Sequence, residues 1–264
     1  KGEFDSALDC LERSLAIREE LGDNRGIGGS LNSIGILYGN KGEPDRALDY
    51  LERSLAIAEE IGNKSGMGSI LINIGVACLD KWDNDKALYY YGRSIAIAEE
   101  IGYKKGIGTS LLGFGLIHWN QGGLETALDY YERSLAIAEE IGDKRGMGRS
   151  LMCIGLVYYD KDDYGKAQEY SEKSLGIQKE IGLGEGNSML TTTTCLYLIY
   201  KHLGKEYDEN EIHALIKDAE NIEFEINYLL YELLEDKSYL ESGYKQIQER
   251  ASKMNDELKA KYLS

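Results

Sequence analysis

Alanine recurs every forty residues, at Ala7, Ala47, Ala87, Ala127 and Ala167, and serine follows each time seven residues later, at Ser14, Ser54, Ser94, Ser134 and Ser174. A fixed period of this length marks a stacked repeat, because each unit is one supersecondary element that cannot bury its apolar face alone. A second series, Gly35, Gly75, Gly115 and Gly155, lies twelve residues before the last four alanines and is preceded each time by Ile or Phe. Each period therefore carries two helices.

In the first helix of a period the packing stripe is Leu31, Ile34, Gly35 and Tyr38, then Leu71, Ile74, Gly75 and Cys78, then Leu111, Phe114, Gly115 and His118. This spacing gathers the four residues on one helical face. The second helix offers Ala47, Leu48, Leu51, Ser54 and Leu55, with small residues where a neighbouring helix comes close. Gly42 and Gly122 fall in the turn between helices, and Pro44 suits a first helical position that tolerates a missing N–H. Gly62, Gly102, Gly142 and Gly182 are placed to end each second helix in a left-handed cap, and Asn63 and Asp143 to start the next helix. These signals put first helices near 24–41, 64–81, 104–121 and 144–161, and second helices near 44–61, 84–101, 124–141 and 164–181.

Composition narrows the function. Of 264 residues, 42% are hydrophobic and 29% charged, enough apolar material for a large core. Acidic residues outnumber basic ones 46 to 30, a formal charge of −16 that leaves no broad positive surface for phosphates, so nucleic acid is excluded as a partner. No apolar run is long enough to span a bilayer and no signal-type segment is present, which implies a cytoplasmic protein without a membrane partner, although the first residue is Lys1 and an upstream segment is compatible with that start. Cys10, Cys78, Cys153 and Cys195 fall at four different points of the period and make neither a metal pattern nor a disulfide framework. They are expected as buried or half-buried small hydrophobes.

The pattern L-x-x-(I/F)-G-x-x-Y, a glycine, then A-L-x-x-Y-x-x-S resembles the tetratricopeptide repeat. Its Leu-Gly pair is matched at Ile34-Gly35, Ile74-Gly75, Phe114-Gly115 and Ile154-Gly155, its tyrosine at Tyr38 and Tyr158, and its alanine at Ala47, Ala87, Ala127 and Ala167. The period is 40 rather than 34, as in the long-repeat subgroup seen in kinesin light chains, bacterial transcription activators and polarity scaffolds. Cys78 and His118 replace the tyrosine, and the run Tyr89-Tyr90-Tyr91 has no family counterpart. The resemblance implies an all-α fold, a right-handed α-solenoid (superhelix) of antiparallel helix pairs, over residues 1–203, with a C-terminal helical cap at 204–264.

In the family, the first helix of each repeat lines the concave face. Carried over, the partner-binding positions are Asn32, Ile36 and Asn40; Ile72, Val76, Leu79 and Asp80; Leu112, Leu116, Trp119 and Asn120; and Met152, Leu156, Tyr159 and Asp160. Ile72, Leu112 and Met152 stand where a carboxylate-gripping subfamily carries lysine, so that clamp is not expected. An apolar stripe edged by Asp80, Asp160, Asn40 and Asn120 suits an amphipathic helix or extended peptide with basic flanks. The same residues suit contacts between neighbouring first helices, or cover by the chain's own C-terminal helices.

The two ends differ from the middle. Gly2 matches Gly42, so the chain opens in mid-period and the face of Phe4, Leu8, Leu11, Leu15 and Ile17 lacks the helix that should precede it, which predicts self-association through this edge. After Gly182 the register decays: Ser188 to Leu203 can still form a first helix although the TTTTC run at 191–195 weakens helix propensity, and EIHALIKDAE, EINYLLYELL and KSYLESGYKQIQERASKM indicate three amphipathic cap helices. His118, His202 and His213 have no partner at i+4, the glycine clusters at 25, 105 and 182 neither follow a strand nor end in Gly-Lys-Ser/Thr, and no nucleophile–base set can be assembled. The expectation is a non-enzyme without cofactor or metal. It is a protein-interaction scaffold within a larger signalling or regulatory protein, with a ligand- or peptide-responsive sensor as the alternative.

Overall fold

The computed structural model describes residues 2–182, 187–219, 222 and 224–252. It divides into two compact units after Gln121. In the first unit, α1 (Gly2–Leu21) precedes two hairpins, α2 (Asn24–Asn40) with α3 (Pro44–Glu60) and α4 (Lys64–Asp80) with α5 (Asn84–Glu100), and α6 (Lys104–Asn120) follows. The second unit opens with α7 (Leu124–Glu140) and the hairpin of α8 (Lys144–Asp160) with α9 (Tyr164–Glu180). It continues with α10 (Asn187–His202), α11 (Glu209–Asp218), α12 (Phe224–Leu234) and α13 (Lys237–Ser252). The fold is all-α, built from consecutive packed helix pairs, and no strand occurs among the described residues. None of the described helices is long and apolar enough to cross a membrane.

The repeat helices α2 to α9 begin at the expected residues and end one residue earlier than expected, for reasons that are local. Asp23, Asn63 and Asp143 accept hydrogen bonds from the backbone N–H of Gly26, Gly66 and Gly146, which satisfies a donor that the first helical turn leaves free. Gly62, Gly102, Gly142 and Gly182 stop the second helices at φ between +66° and +69°, a region open to glycine without steric cost. Between the helices of a pair, Gly42 and Gly122 take φ of +74° and +77°, while Trp82 and Asp162 occupy the same place at +58°.

Packing within each unit depends on the glycine of the first helix. A Cβ placed on Gly35 would lie 2.7 Å from Leu51 Cγ, one on Gly75 2.7 Å from the Tyr91 ring, and one on Gly155 2.7 Å from Ser171 Oγ. The Tyr91 ring is 1% exposed and is pressed from its other side by Gly113, where a Cβ would come within 2.5 Å. The serines, expected as spacers, are also donors: Ser54, Ser94 and Ser174 give their hydroxyl protons to the carbonyls of Gly28, Gly68 and Gly148 at 2.7, 3.0 and 2.8 Å. The glycine clusters at 25 and 105 thus belong to the first turns of α2 and α6 rather than to loops, and the cluster at 182 lies partly outside the described residues.

One finding departs from the sequence reading, and a second explains a helix that it expected. Cys10 is exposed on α1, because that helix covers only its Leu8, Leu11 and Leu15 side against the unit's core and leaves Ile17 58% and Leu21 75% exposed. The threonine run does not interrupt α10: residues 192–199 are all buried, and Thr191 and Thr192 return their hydroxyl protons to the carbonyls of Asn187 and Ser188. Burial on all sides overrides weak propensity.

Glycine's role here sets opposite signs for two substitutions. Gly75→Val should destabilise by about 1–3 kcal/mol, since the added methyls meet a ring with no room to move. Gly176 in α9 has open space around its Cβ position and stands where the other periods carry Ala16, Ala56, Ala96 and Ala136. Gly176→Ala should stabilise by about 0.5–1 kcal/mol. Urea melts of the two variants should shift in opposite directions from the parent, and a shift of both in the same direction would refute the packing account.

Candidate functional site

In the first unit, the first helices α2, α4 and α6 lie side by side, each touching the next. Of the residues expected on this face, Ile36 is 40% and Val76 47% exposed, and Asn40 and Asn120 are exposed at the helix ends. Asn32, Ile72, Leu79, Asp80, Leu112, Leu116 and Trp119 are half-buried. Asn32 is already engaged, its side-chain oxygen accepting from Asn73 Nδ2 on the adjacent helix at 2.9 Å, and Ile72 and Leu79 pack against the unit's core. The face therefore presents two aliphatic side chains forty residues apart, Ile36 and Val76, to solvent. A shallow depression of about 230 Å³ lies at the N-terminal turns of α2 and α4, lined by Asn24, Arg25, Asn32, Asn63 and Ser69.

In the second unit the corresponding residues of α8 are more enclosed. Met152 is half-buried, Leu156 is 8% exposed, Tyr159 is half-buried and Asp160 is exposed. Tyr159 packs against the cluster formed by α10, α11 and α12, which includes Leu196, Leu198, Ile212 and Leu230. A partner reaching Leu156 would have to displace the chain's own packing.

Around Tyr159 the structure assembles residues that the repeat pattern does not single out. His202, at the end of α10, stacks on the Tyr164 ring at 4.5 Å and 7°, and Tyr159 meets both rings edge-on at 5.7 Å. The Tyr159 hydroxyl and His202 Nε2 are 3.2 Å apart, and Tyr164 donates its hydroxyl proton to Asp162 at 2.8 Å. Burial, and then the Glu232 carboxylate on α12, push the Tyr159 hydroxyl well above the usual tyrosine range. Tyr164 is raised by its bond to Asp162, and Tyr228 by its bond to Glu232. The periodic reading had only Tyr159 here, because His202, Tyr228 and Glu232 come from turns and helices beyond the forty-residue register.

No group of three or more His, Cys, Asp or Glu able to hold a metal occurs among the described residues. Burial pushes the thiols of Cys78 and Cys153 up to about 11 and that of Cys195 up to about 12, far from a reactive thiolate at neutral pH.

A family model described as tetratricopeptide repeat matches residues 1–60, 66–140 and 106–180. No curated protein sequence matches significantly. Among solved structures, the fold is similar to the apo form of RapI, with a TM-score of 0.71 at 16% identity, covering 94% of this chain and 93% of that one. It is similar to BtubC (BKLC) from P. vanneervenii at 0.64 and 18%, covering 81% and 88%. It is also similar to NprR in complex with its cognate peptide NprX at 0.61 and 21%, covering 90% and 67%.

The contrast between the two units is testable by stability alone. Val76→Glu should leave the urea midpoint within about 0.5 kcal/mol of the parent, as exposed substitutions do. Leu156→Glu should cost more than about 3 kcal/mol by burying an unpaired charge. Equal effects would mean that Leu156 is as accessible as Val76.

Proposed function

Since the chain belongs to the tetratricopeptide repeat family, we propose that it is a protein-interaction module that holds a peptide or helix of a partner protein against its first helices. In this reading residues 1–203 are the recognition array and 204–264 its helical cap. The observation that carries it is the pair Ile36 and Val76: neighbouring inner helices expose an aliphatic residue at the same point of the period, on helices otherwise packed by glycine, Leu and Ile. Leu116 and Trp119 on α6 extend the surface, with Asn40, Asp80 and Asn120 at its edge. A formal charge of −16 favours a partner whose apolar anchors are flanked by lysine or arginine. The module works in the cytoplasm without a catalytic step, a nucleic-acid partner or a membrane, and its exposed α1 edge supports self-association.

A second reading, a regulatory sensor that responds to a signalling peptide, is favoured by one observation: NprR, a solved structure of similar fold, holds its cognate peptide. The two readings differ in consequence. A scaffold keeps its dimensions when occupied, whereas a sensor changes its radius of gyration in solution scattering.

The test compares affinity capture from source-cell lysate by the parent chain and by an Ile36→Glu, Val76→Glu double variant of unchanged circular dichroism. Captured proteins are then expressed and titrated directly. A partner whose affinity falls at least tenfold in the variant supports the reading. Partners that bind both forms equally, or none at all, overturn it.

A further inference from the structure

The chain satisfies many of its surface tyrosines with its own cations. In the second unit, Arg133 lies 5.4 Å from the Tyr130 ring centre, Lys166 4.8 Å from Tyr158, Lys173 5.6 Å from Tyr170 and Lys205 5.8 Å from Tyr200. The cluster at the ends of α8 and α10 is different. No Lys or Arg among the described residues lies over Tyr159, Tyr164 or Tyr228, and none forms an ion pair with the carboxylate of Asp162 or Glu232. Lys201 reaches Glu232 only at its main-chain carbonyl and spends its charge on the Glu235 carboxylate, so the aromatic faces and the two side-chain carboxylates are gathered without a cation of their own.

We propose that Tyr159, Tyr164, His202 and Tyr228, with the carboxylates of Asp162 and Glu232, form a cage for a guanidinium group, through which the second unit grips an arginine side chain of a partner peptide. The inference rests on the reading of the chain as a protein-interaction module and names one chemical feature of its partner. The parallel stack of Tyr164 and His202 leaves each ring one face turned away from the other, and a planar guanidinium stacks on such a face. His202 is exposed and Tyr228 is 50% exposed, so the cluster is open to solvent. The charge of Glu232 bears on the hydroxyls of Tyr228, Tyr159 and Tyr164 and raises all three. Asp162, which takes the Tyr164 hydroxyl proton at 2.8 Å, borders the rings and is placed to accept N–H donors from a stacked cation, and the charge of Glu232 adds to its attraction. The backbone is committed to this arrangement as well: Asp162 holds a left-handed φ of +58° at a position where Gly42 and Gly122 stand in other periods.

The experiment uses the full chain with ring-labelled tyrosine and histidine and two probes, N-acetyl-arginine N-methylamide and its neutral citrulline counterpart, followed by NMR. The expected result is saturable shifts of the Tyr164 and His202 ring signals with the arginine probe and none with citrulline. Glu232→Gln should weaken the arginine response about fivefold or more, and Tyr228→Ala should weaken it too, with circular dichroism unchanged in both. Equal responses to the two probes, absence of a localised response, or undiminished binding in both variants would overturn the proposal. Because the probe needs no partner protein, this outcome is independent of whether Ile36 and Val76 capture one.

Discussion

The contact on which the rest depends is the seat of a second-helix side chain on a glycine of its own first helix. Leu51 on Gly35, Tyr91 on Gly75 and Ser171 on Gly155 occupy space that any Cβ would take. Close approach brings the serine of the second helix within reach of that same first helix, where its hydroxyl finds the carbonyl of Gly28, Gly68 or Gly148. A hydroxyl buried this deeply is costly unless it is bonded, so the serine fixes both the distance and the lateral register of the two helices within a pair. Between pairs, ion pairs such as Lys81 with Asp45 and Lys161 with Glu125 join largely solvated positions and add little by comparison.

The division of labour between the helices follows from this. The second helices are nearly the same sequence each time because they make the same contact each time. The first helices vary on the face that the packing does not use, and there the two units diverge: the first exposes Ile36 and Val76, while the second encloses Leu156 and turns Tyr159 towards α10, α11 and α12. The two units thus carry different surface chemistry within one repeat plan, aliphatic in one and aromatic and acidic in the other.

Most of the fold was legible before any coordinates, because a forty-residue period repeats the evidence for every boundary. The glycine stops, the Asn63 and Asp143 caps and the eight repeat-helix spans needed only local chemistry. The site was legible in part. Positions on the first helices could be counted out, but whether each was open or covered depended on neighbours outside the period. Leu156 and Val76 are equivalent in sequence and opposite in exposure. The cluster around His202 could not be assembled from spacing, since Tyr228 and Glu232 belong to helices that share no register with α8. Cys10 looked like the other cysteines until the uncovered side of α1 set it apart.

The repeated junction has a further consequence. Each helix pair closes with a left-handed glycine and keeps its serine-to-glycine hydrogen bond within itself, so a pair carries its own buried donor and acceptor with it. Adding or removing one complete forty-residue block would orphan neither. Any other insertion within the helices would separate them. Length is thus a property that such an architecture can change in whole steps without redesigning its interior.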